Sequence, residues 1–414
     1  MSDKYTSEES EVYTSGDEYE NEIKTDFTGD IINNYNIITL IGKGSYSSIW
    51  LAYSINDMKY YAVKVQNPDD IKDGIEEIKI LNKIPRDSKY INCIKNSFIE
   101  NRLDDNGVTI NYLCSVYELC CGNLDNMARK GKFSNGYPLS LVKTMFKQIL
   151  CGLATIHYKL EGFHGDIKPD NILLYGINFR DRKYIDMYDN AKFHTIYEHT
   201  MREYMREKDL KNLSTEQKIK IRKQIHKTII GNMEGNEENY NFCNDKYFQN
   251  PQVLLTDFGF YCSKNEQFNE TFGTRYYMAP EIILMGKCSE KVDIWALGCT
   301  LYELCTGEIL FDPHGSKRGS TDFHHLEMII NLCGDFKPKD INKSKYYKKF
   351  FKKDRLINID YDFKETTFTK IKNKLIEHNI NDDLLVDLLE SMLKLTPNER
   401  PSINKILTHQ WLIN

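Results

Sequence analysis

The sequence predicts an α+β chain of two lobes, the first rich in β-strands and the second mainly helical. Three observations carry this. Between Tyr35 and Leu119, short apolar runs of strand character recur, separated by glycine and Asn/Asp turn signals. After Glu118 the pattern changes to C-C-G-N-L-D, which reads as a hinge, and segments with helical apolar spacing follow. The 414 residues, 41% hydrophobic and 28% charged, are enough for two separate cores.

Bulk properties exclude several classes. A formal net charge of −5 gives no reason to expect nucleic acid as a partner. The eleven cysteines are scattered, odd in number and without zinc-ligand spacing, so they read as reduced thiols of an intracellular protein. The N-terminus is polar rather than a secretory leader, and no uninterrupted apolar run approaches membrane-spanning length. A cytoplasmic monomer without a membrane partner is expected, with the nucleus as the other compartment. Residues 1–30 carry Glu8, Glu9, Glu11, Asp17, Glu18, Glu20 and Glu22 among few apolar residues and read as an acidic disordered tail.

Order is expected from Tyr35. Y-N-I-I-T-L-I-G-K-G-S-Y-S-S-I-W-L-A-Y reads as strand, glycine turn, strand. Gly42 and Gly44 lack Cβ, so backbone amides there can approach phosphates; an ordinary hairpin with glycines is the equal alternative. No helix follows the glycines, which argues against a Walker loop and a dinucleotide fold. Next, K-Y-Y-A-V-K-V is a strand with one internal charge, Lys64, which needs an anionic partner. Ile71, Ile75, Ile78 and Leu81 have helical spacing, and that helix supplies Glu76 and Glu77, of which Glu77 is the expected partner. Two strands are expected around 93–101 and 110–119, joined by the turn at 104–107. An amphipathic helix should run over 141–157, with Met145, Ile149, Leu153 and Ile156 on one face.

That helix leads into F-H-G-D-I-K-P-D-N-I-L-L, residues 163–174. Asp166, Lys168 and Asn171 make up a grouping suited to moving a phosphoryl group onto a hydroxyl. The carboxylate takes the hydroxyl proton, the ammonium offsets phosphate charge and the amide oxygen holds a metal. A polar turn before a strand is the plain alternative. Further on come D-F-G at 257–259, A-P-E at 279–281, D-I-W-A-L-G at 293–298 and a late arginine, Arg400.

With G-x-G, A-V-K and H-G-D-I-K-P-D-N in this order, the chain resembles eukaryotic-type protein kinases from Tyr35 to its end. The lysine of D-I-K-P-D-N resembles the serine/threonine class. The resemblance implies a bilobal kinase fold with an N-lobe over 35–118, a C-lobe over 122–414, and an ATP-dependent serine/threonine kinase activity using Mg2+. It also implies an ATP site formed by Ile41, Gly42, Lys43, Gly44, Ser45, Tyr46, Ser47, Ser48, Ile49, Ala62, Lys64, Glu77, Glu118 and Cys120. Asp166 and Lys168 would be catalytic, Asn171 and Asp257 would hold metal, and Arg400 would pair with Glu281. A pseudokinase scaffold and a small-molecule kinase are the alternatives. The first usually lacks one of Lys64, Asp166 and Asp257; the second is disfavoured by the intact A-P-E segment.

About eighty residues separate Leu174 from Leu254, where a short connection would do. This insert, 176–252, contains L-S-T-E-Q-K-I-K-I-R-K-Q-I-H-K-T-I-I, a basic helix with Ser214 and Gln217 in capping-box positions and apolar Ile219, Ile221, Ile225 and Ile229. It reads either as a docking module for a partner or as helices packed on the scaffold, followed by a flexible link from Gly231. An insert at this point resembles the serine/arginine-rich protein kinases within the grouping that includes cyclin-dependent and mitogen-activated kinases. That resemblance implies protein substrates bearing Ser/Thr acceptors, with arginine-rich substrates held by an acidic groove. Glu308 and Asp312 match acidic positions; His324 and Asn331 fall where acids would align, and Met278 replaces the arginine usual before A-P-E. In the activation segment, Thr271, Thr274, Tyr276 and Tyr277 are candidate phosphate acceptors, with Thr274 expected to shape the substrate site. Gly165 stands where many kinases carry the arginine that binds the activating phosphate, so activity independent of that phosphate is expected.

Overall fold

The computed structural model describes residues 25–413 except 45, 87, 104–106, 130–132, 191, 232–247, 269, 316–318, 338–342, 354 and 358–364. The expected tail up to residue 24, Ser45, most of the 104–107 turn and the link beyond Gly231 lie outside the described residues.

The N-lobe is a six-stranded antiparallel sheet of order β1-β2-β3-β4-β6-β5. Its strands are β1 (Ile31–Ile32), β2 (Tyr35–Lys43), β3 (Ser47–Ser54), β4 (Lys59–Gln66), β5 (Asn96–Leu103) and β6 (Thr109–Tyr117). Side chains alternate between its faces. Trp50, Ala52, Val63, Val65, Tyr112, Cys114 and Val116 build one buried layer. Phe27 closes that layer, edge-on to Trp50 and Tyr112 at 5.8 and 5.2 Å. Asp30 is buried beside Arg102 and Lys223, at 3.3 and 3.5 Å. This corrects the expected tail boundary at Asp30 and the start of order at Tyr35. One aromatic and one carboxylate within an acidic stretch find partners far along the chain.

Helix α1 (Ile71–Leu81) packs against β6 through Gly74, where a Cβ would stand 2.8 Å from Leu113. Ile78 and Leu81 are buried as their spacing predicts, but Ile75 is exposed. The close approach at Gly74 turns the apolar face by one residue from the one read off the isoleucines.

Beyond the hinge, β7 (Cys120–Asn123), β9 (Ile172–Tyr175) and β10 (Val253–Leu255) form a small sheet of order β10-β9-β7. Between β7 and β9 lie α2 (Leu124–Arg129), α3 (Leu139–Tyr158) and β8 (Gly162–Phe163). By length and composition α3 could cross a membrane, yet Met145, Phe146, Ile149, Leu150, Leu153 and Ile156 are all in the C-lobe core. The helix Lys291–Thr306 is the centre of that core, buried from Val292 to Thr306. Among the described residues the cysteines are free thiols.

The insert forms three helices, α4 (Phe179–Asn190), α5 (Phe193–Glu207) and α6 (Thr215–Gly231). The capping box at the start of α6 is formed, with Ser214 N–H to Gln217 Oε1 at 2.9 Å and Gln217 N–H to Ser214 Oγ at 3.2 Å. Ile185, Tyr188, Phe193, Tyr197, Ile221 and Ile225 share one buried cluster with Ile38, Leu51, Ala62 and Leu119. The insert thus covers the sheet face opposite the Trp50 layer. Tyr60 donates to Asp189, Arg222 to Asn36 at 3.2 Å, and Lys223 to the Asp26 carbonyl at 3.3 Å. Of the two readings of the insert, packing on the scaffold accounts for the apolar side chains in this cluster.

Candidate active site

The catalytic candidates are held on a turn between β8 and β9 that is anchored from below. Asp293, fully buried at the start of the helix Lys291–Thr306, accepts the N–H of His164 at 2.8 Å and of Gly165 at 2.9 Å. His157 Nε2 lies 2.7 Å from the same carboxylate. Burial alone would raise its pKa; the His157 contact, the nearby His164 ring and the Gly165 N–H outweigh that and hold it below the usual carboxylate range. It therefore stays an anion able to fix two consecutive backbone amides.

On that support, Asp166 is 5% exposed. Its Oδ1 accepts the Thr274 N–H at 2.7 Å, and its Oδ2 lies 3.0 Å from both Asn171 Nδ2 and Lys168 Nζ. Lys168 also donates to Thr274 Oγ1 at 2.6 Å. Asn171 donates a second bond to the Asp166 carbonyl at 2.9 Å, which turns its Oδ1 the other way. The Asn171 carbonyl accepts the Thr256 N–H at 3.1 Å, so Asn171 and Asp257 sit on adjoining segments. Asp257 has φ +66°, a strained value for a non-glycine residue, and Phe258 behind it is fully buried against His164. An amide oxygen and a carboxylate on adjoining segments are hard-oxygen donors that suit magnesium.

Lys64 on β4 lies on the same sheet face as Ala62, opposite the Trp50 layer, and meets Glu77 at 2.7 Å. Glu76 instead pairs with Lys79 at the surface, at 2.6 Å. Glu77 also accepts the Phe258 N–H at 3.4 Å, linking α1 to the D-F-G segment. The glycine turn is closed by Gly44 N–H to the Ser47 carbonyl at 2.8 Å, and Lys43 pairs with Ser48 across the strands. Tyr46 is exposed, and Ser48 Oγ accepts from Trp50 Nε1 at 2.9 Å. Ile41, Ile49, Ala62 and Leu119 belong to one apolar cluster. The carboxylate of Glu118 turns out to Lys95 at 2.9 Å, and burial raises the Cys120 thiol to about 12.

Gly165 has φ +84°, and a Cβ on it would stand 2.4 Å from the Phe260 carbonyl. Gly273, at φ +78°, meets the Gly165 carbonyl; its Cβ would stand 2.6 Å away. Catalytic turn and activation segment thus touch backbone to backbone, and no side chain fits between them. Phe272 packs on Phe163, Phe268 and Phe260 with ring centres 6.0, 4.1 and 6.4 Å away. Of the candidate acceptors, Tyr277 is corrected: it is buried and donates to Glu303 at 2.5 Å, so no kinase can reach it. Arg400 clasps Glu281 through two bonds of 2.6 and 2.8 Å beneath the A-P-E segment.

The anchoring roles of Asp293, His157 and Glu303 were missed in the sequence. The only available signal was an acid opening a run of apolar residues at D-I-W-A-L-G.

The model of the protein kinase domain matches residues 35–187 and 241–412, and the chain belongs to that family. Its relatives specify the type. A protein of Acanthamoeba polyphaga mimivirus named as a serine/threonine-protein kinase is 27% identical, over 91% of this chain and 87% of its own length. The serine/threonine-protein kinase SRPK of Physarum polycephalum is 28% identical, over 92% and 86%. Human SRSF protein kinase 3 is 21% identical, over 93% and 87%. A crystal structure of a kinase domain superposes with a TM-score of 0.62 at 22% identity, over 93% of this chain and 97% of that one. The chain is a serine/threonine protein kinase, a transferase of a family that uses ATP and typically Mg2+.

Proposed function

We propose that this kinase transfers the γ-phosphate of ATP to serine or threonine of protein substrates without needing a phosphate on its activation segment. The glycine turn covers the phosphates, and Lys64, set by Glu77, contacts the α- and β-phosphates. Asn171 and Asp257 would hold magnesium, which supplies neutralisation of the phosphate charge when bound. Asp166 orients the acceptor hydroxyl and takes its proton. The hydroxyl oxygen bonds to the γ-phosphorus as the bond to the β–γ bridging oxygen breaks, and ADP leaves. Lys168, already between Asp166 and Thr274, stabilises the transferring group.

The observation that carries phosphate independence is Gly165. Where an arginine would await an activating phosphate, the backbone of the activation segment fills the space, fastened by Gly273 and the Phe272 cluster. The test is phosphatase treatment of the purified kinase followed by a peptide assay. Activity should be retained, whereas near-complete loss would overturn the proposal.

An arginine preference in the substrate is supported by the resemblance to serine/arginine-rich kinases and by the exposed carboxylates of Glu308 and Asp312. His324 and Asn331 add no negative charge there. A peptide array should favour arginine near the acceptor, and indifference to arginine would remove this part of the reading.

A further inference from the structure

Beside its apolar packing, the insert makes a polar contact with the root of the glycine turn. Arg180, in the first turn of α4, donates from Nη2 to the carbonyl of Ile41 at 2.9 Å. Ile41 immediately precedes Gly42, so this bond holds the root of the glycine turn. Behind it, Asp181 is buried, with its Oδ1 3.5 Å from Arg180 Nε. Asp181 is fixed in turn by Asn178, whose Nδ2 donates to Asp181 Oδ2 at 3.0 Å and to the hinge carbonyl of Cys121 at 3.1 Å. Asn178 Oδ1 accepts the Asp181 N–H at 2.7 Å. A polar chain, hydrogen-bonded except at the Arg180–Asp181 ion pair, therefore runs from the hinge through Asn178, Asp181 and Arg180 to the glycine turn. Below it, Ile177 packs in the cluster that contains Ile41, Ile49, Ala62 and Leu119.

We infer that Arg180 is a positioning residue for nucleotide binding. It pins the first strand of the glycine turn at a fixed height over the hinge and lowers the ordering cost that ATP would otherwise meet. The inference rests on the reading of Ile41 to Ile49 as the phosphate-covering turn. It acts on binding rather than on the chemical step, because Arg180 touches a backbone carbonyl rather than any of the groups around Asp166.

The experiment measures steady-state kinetics and fluorescent-nucleotide binding for Arg180→Ala, Arg180→Lys, Arg182→Ala and Lys64→Met, with melting temperatures for each. Losing a charged hydrogen bond should raise the KM for ATP of Arg180→Ala about tenfold and weaken nucleotide binding in parallel. Its kcat and peptide KM should stay near wild type. Arg180→Lys keeps a donor and should recover most of the affinity. Arg182→Ala removes an exposed charge from the same helix and should change neither. An unchanged ATP KM in Arg180→Ala, or a fall in kcat and melting temperature alone, overturns the inference and leaves Arg180 a structural residue. Lys64→Met separates the two levels. If it abolishes turnover while Arg180→Ala is silent, only the role of Arg180 falls; if it too is silent, the reading of the nucleotide site falls.

Discussion

Lys64 and Asp166 each sit within reach of opposite charge, and the two pairs make different demands on their partners. Glu77 is mostly buried and bonded to Lys64 and to the Phe258 N–H, whereas Glu76 is exposed and pairs only with Lys79. Glu77→Gln should therefore lower kcat/KM about 10- to 100-fold while Glu76→Gln stays near wild type, read from initial rates on a protein substrate. Asp166→Asn keeps the size of the side chain but loses the proposed proton acceptor, and should lower kcat by about 10²- to 10⁴-fold. The grouping of Asp166, Lys168 and Asn171 was legible because the three lie within six residues. Glu77 was harder, since it needed one of two adjacent glutamates to be chosen from a helical register. Asp293 was not legible as the anchor of His164 and Gly165, because nothing near it in sequence names partners so far away.

The activation segment and the insert are the two elements whose placement decides how the site is kept ready. Phe272 is the buried pivot of the first, and Phe272→Ala should cost about 3–5 kcal/mol of stability by denaturant unfolding. In the second, His226 is buried against Phe193 at 4.3 Å, its Nε2 without a hydrogen bond. Burial lowers its pKa from the ordinary 6.5 to about 4, although a backbone bond with Ile38 opposes this. The unfolded chain then takes up the proton first as pH falls from 6.5 toward 4, so the stability contributed by the neutral ring is lost across that window. His226→Gln does not titrate there. Melting temperatures should fall more steeply with acid in wild type than in His226→Gln; His325, with a pKa also lowered by burial, is common to both and cancels. The start of α6 was readable from its capping box, but its destination was not. Ile38, Leu51 and Ala62 on the sheet already had an explanation as strand residues, and nothing local assigns them to helices that follow more than a hundred residues later.

Across the whole molecule, one sheet face carries α1 with Glu77, then Lys64, then the three helices of the insert, while the N-terminal segment with Phe27 closes the other. Asp30 joins these parts by pairing with Arg102 on β5 and Lys223 on α6. The two-lobe plan was readable from the change of pattern at the hinge. The ordering of residues 25–30 was not, because composition registers acidity but not the single Phe27 that fills a gap between Trp50 and Tyr112. The central claim is that the site is complete without a phosphate on the activation segment. Its most direct measurement is the rate of phosphate transfer to a protein substrate by the Thr271→Val/Tyr276→Phe double variant, with Asp166→Asn as background. Those changes remove the candidate acceptors that neither bind Lys168 nor lie buried. A rate within about threefold of wild type is predicted, and a loss of about a hundredfold or more would show that the enzyme needs an activation-segment phosphate.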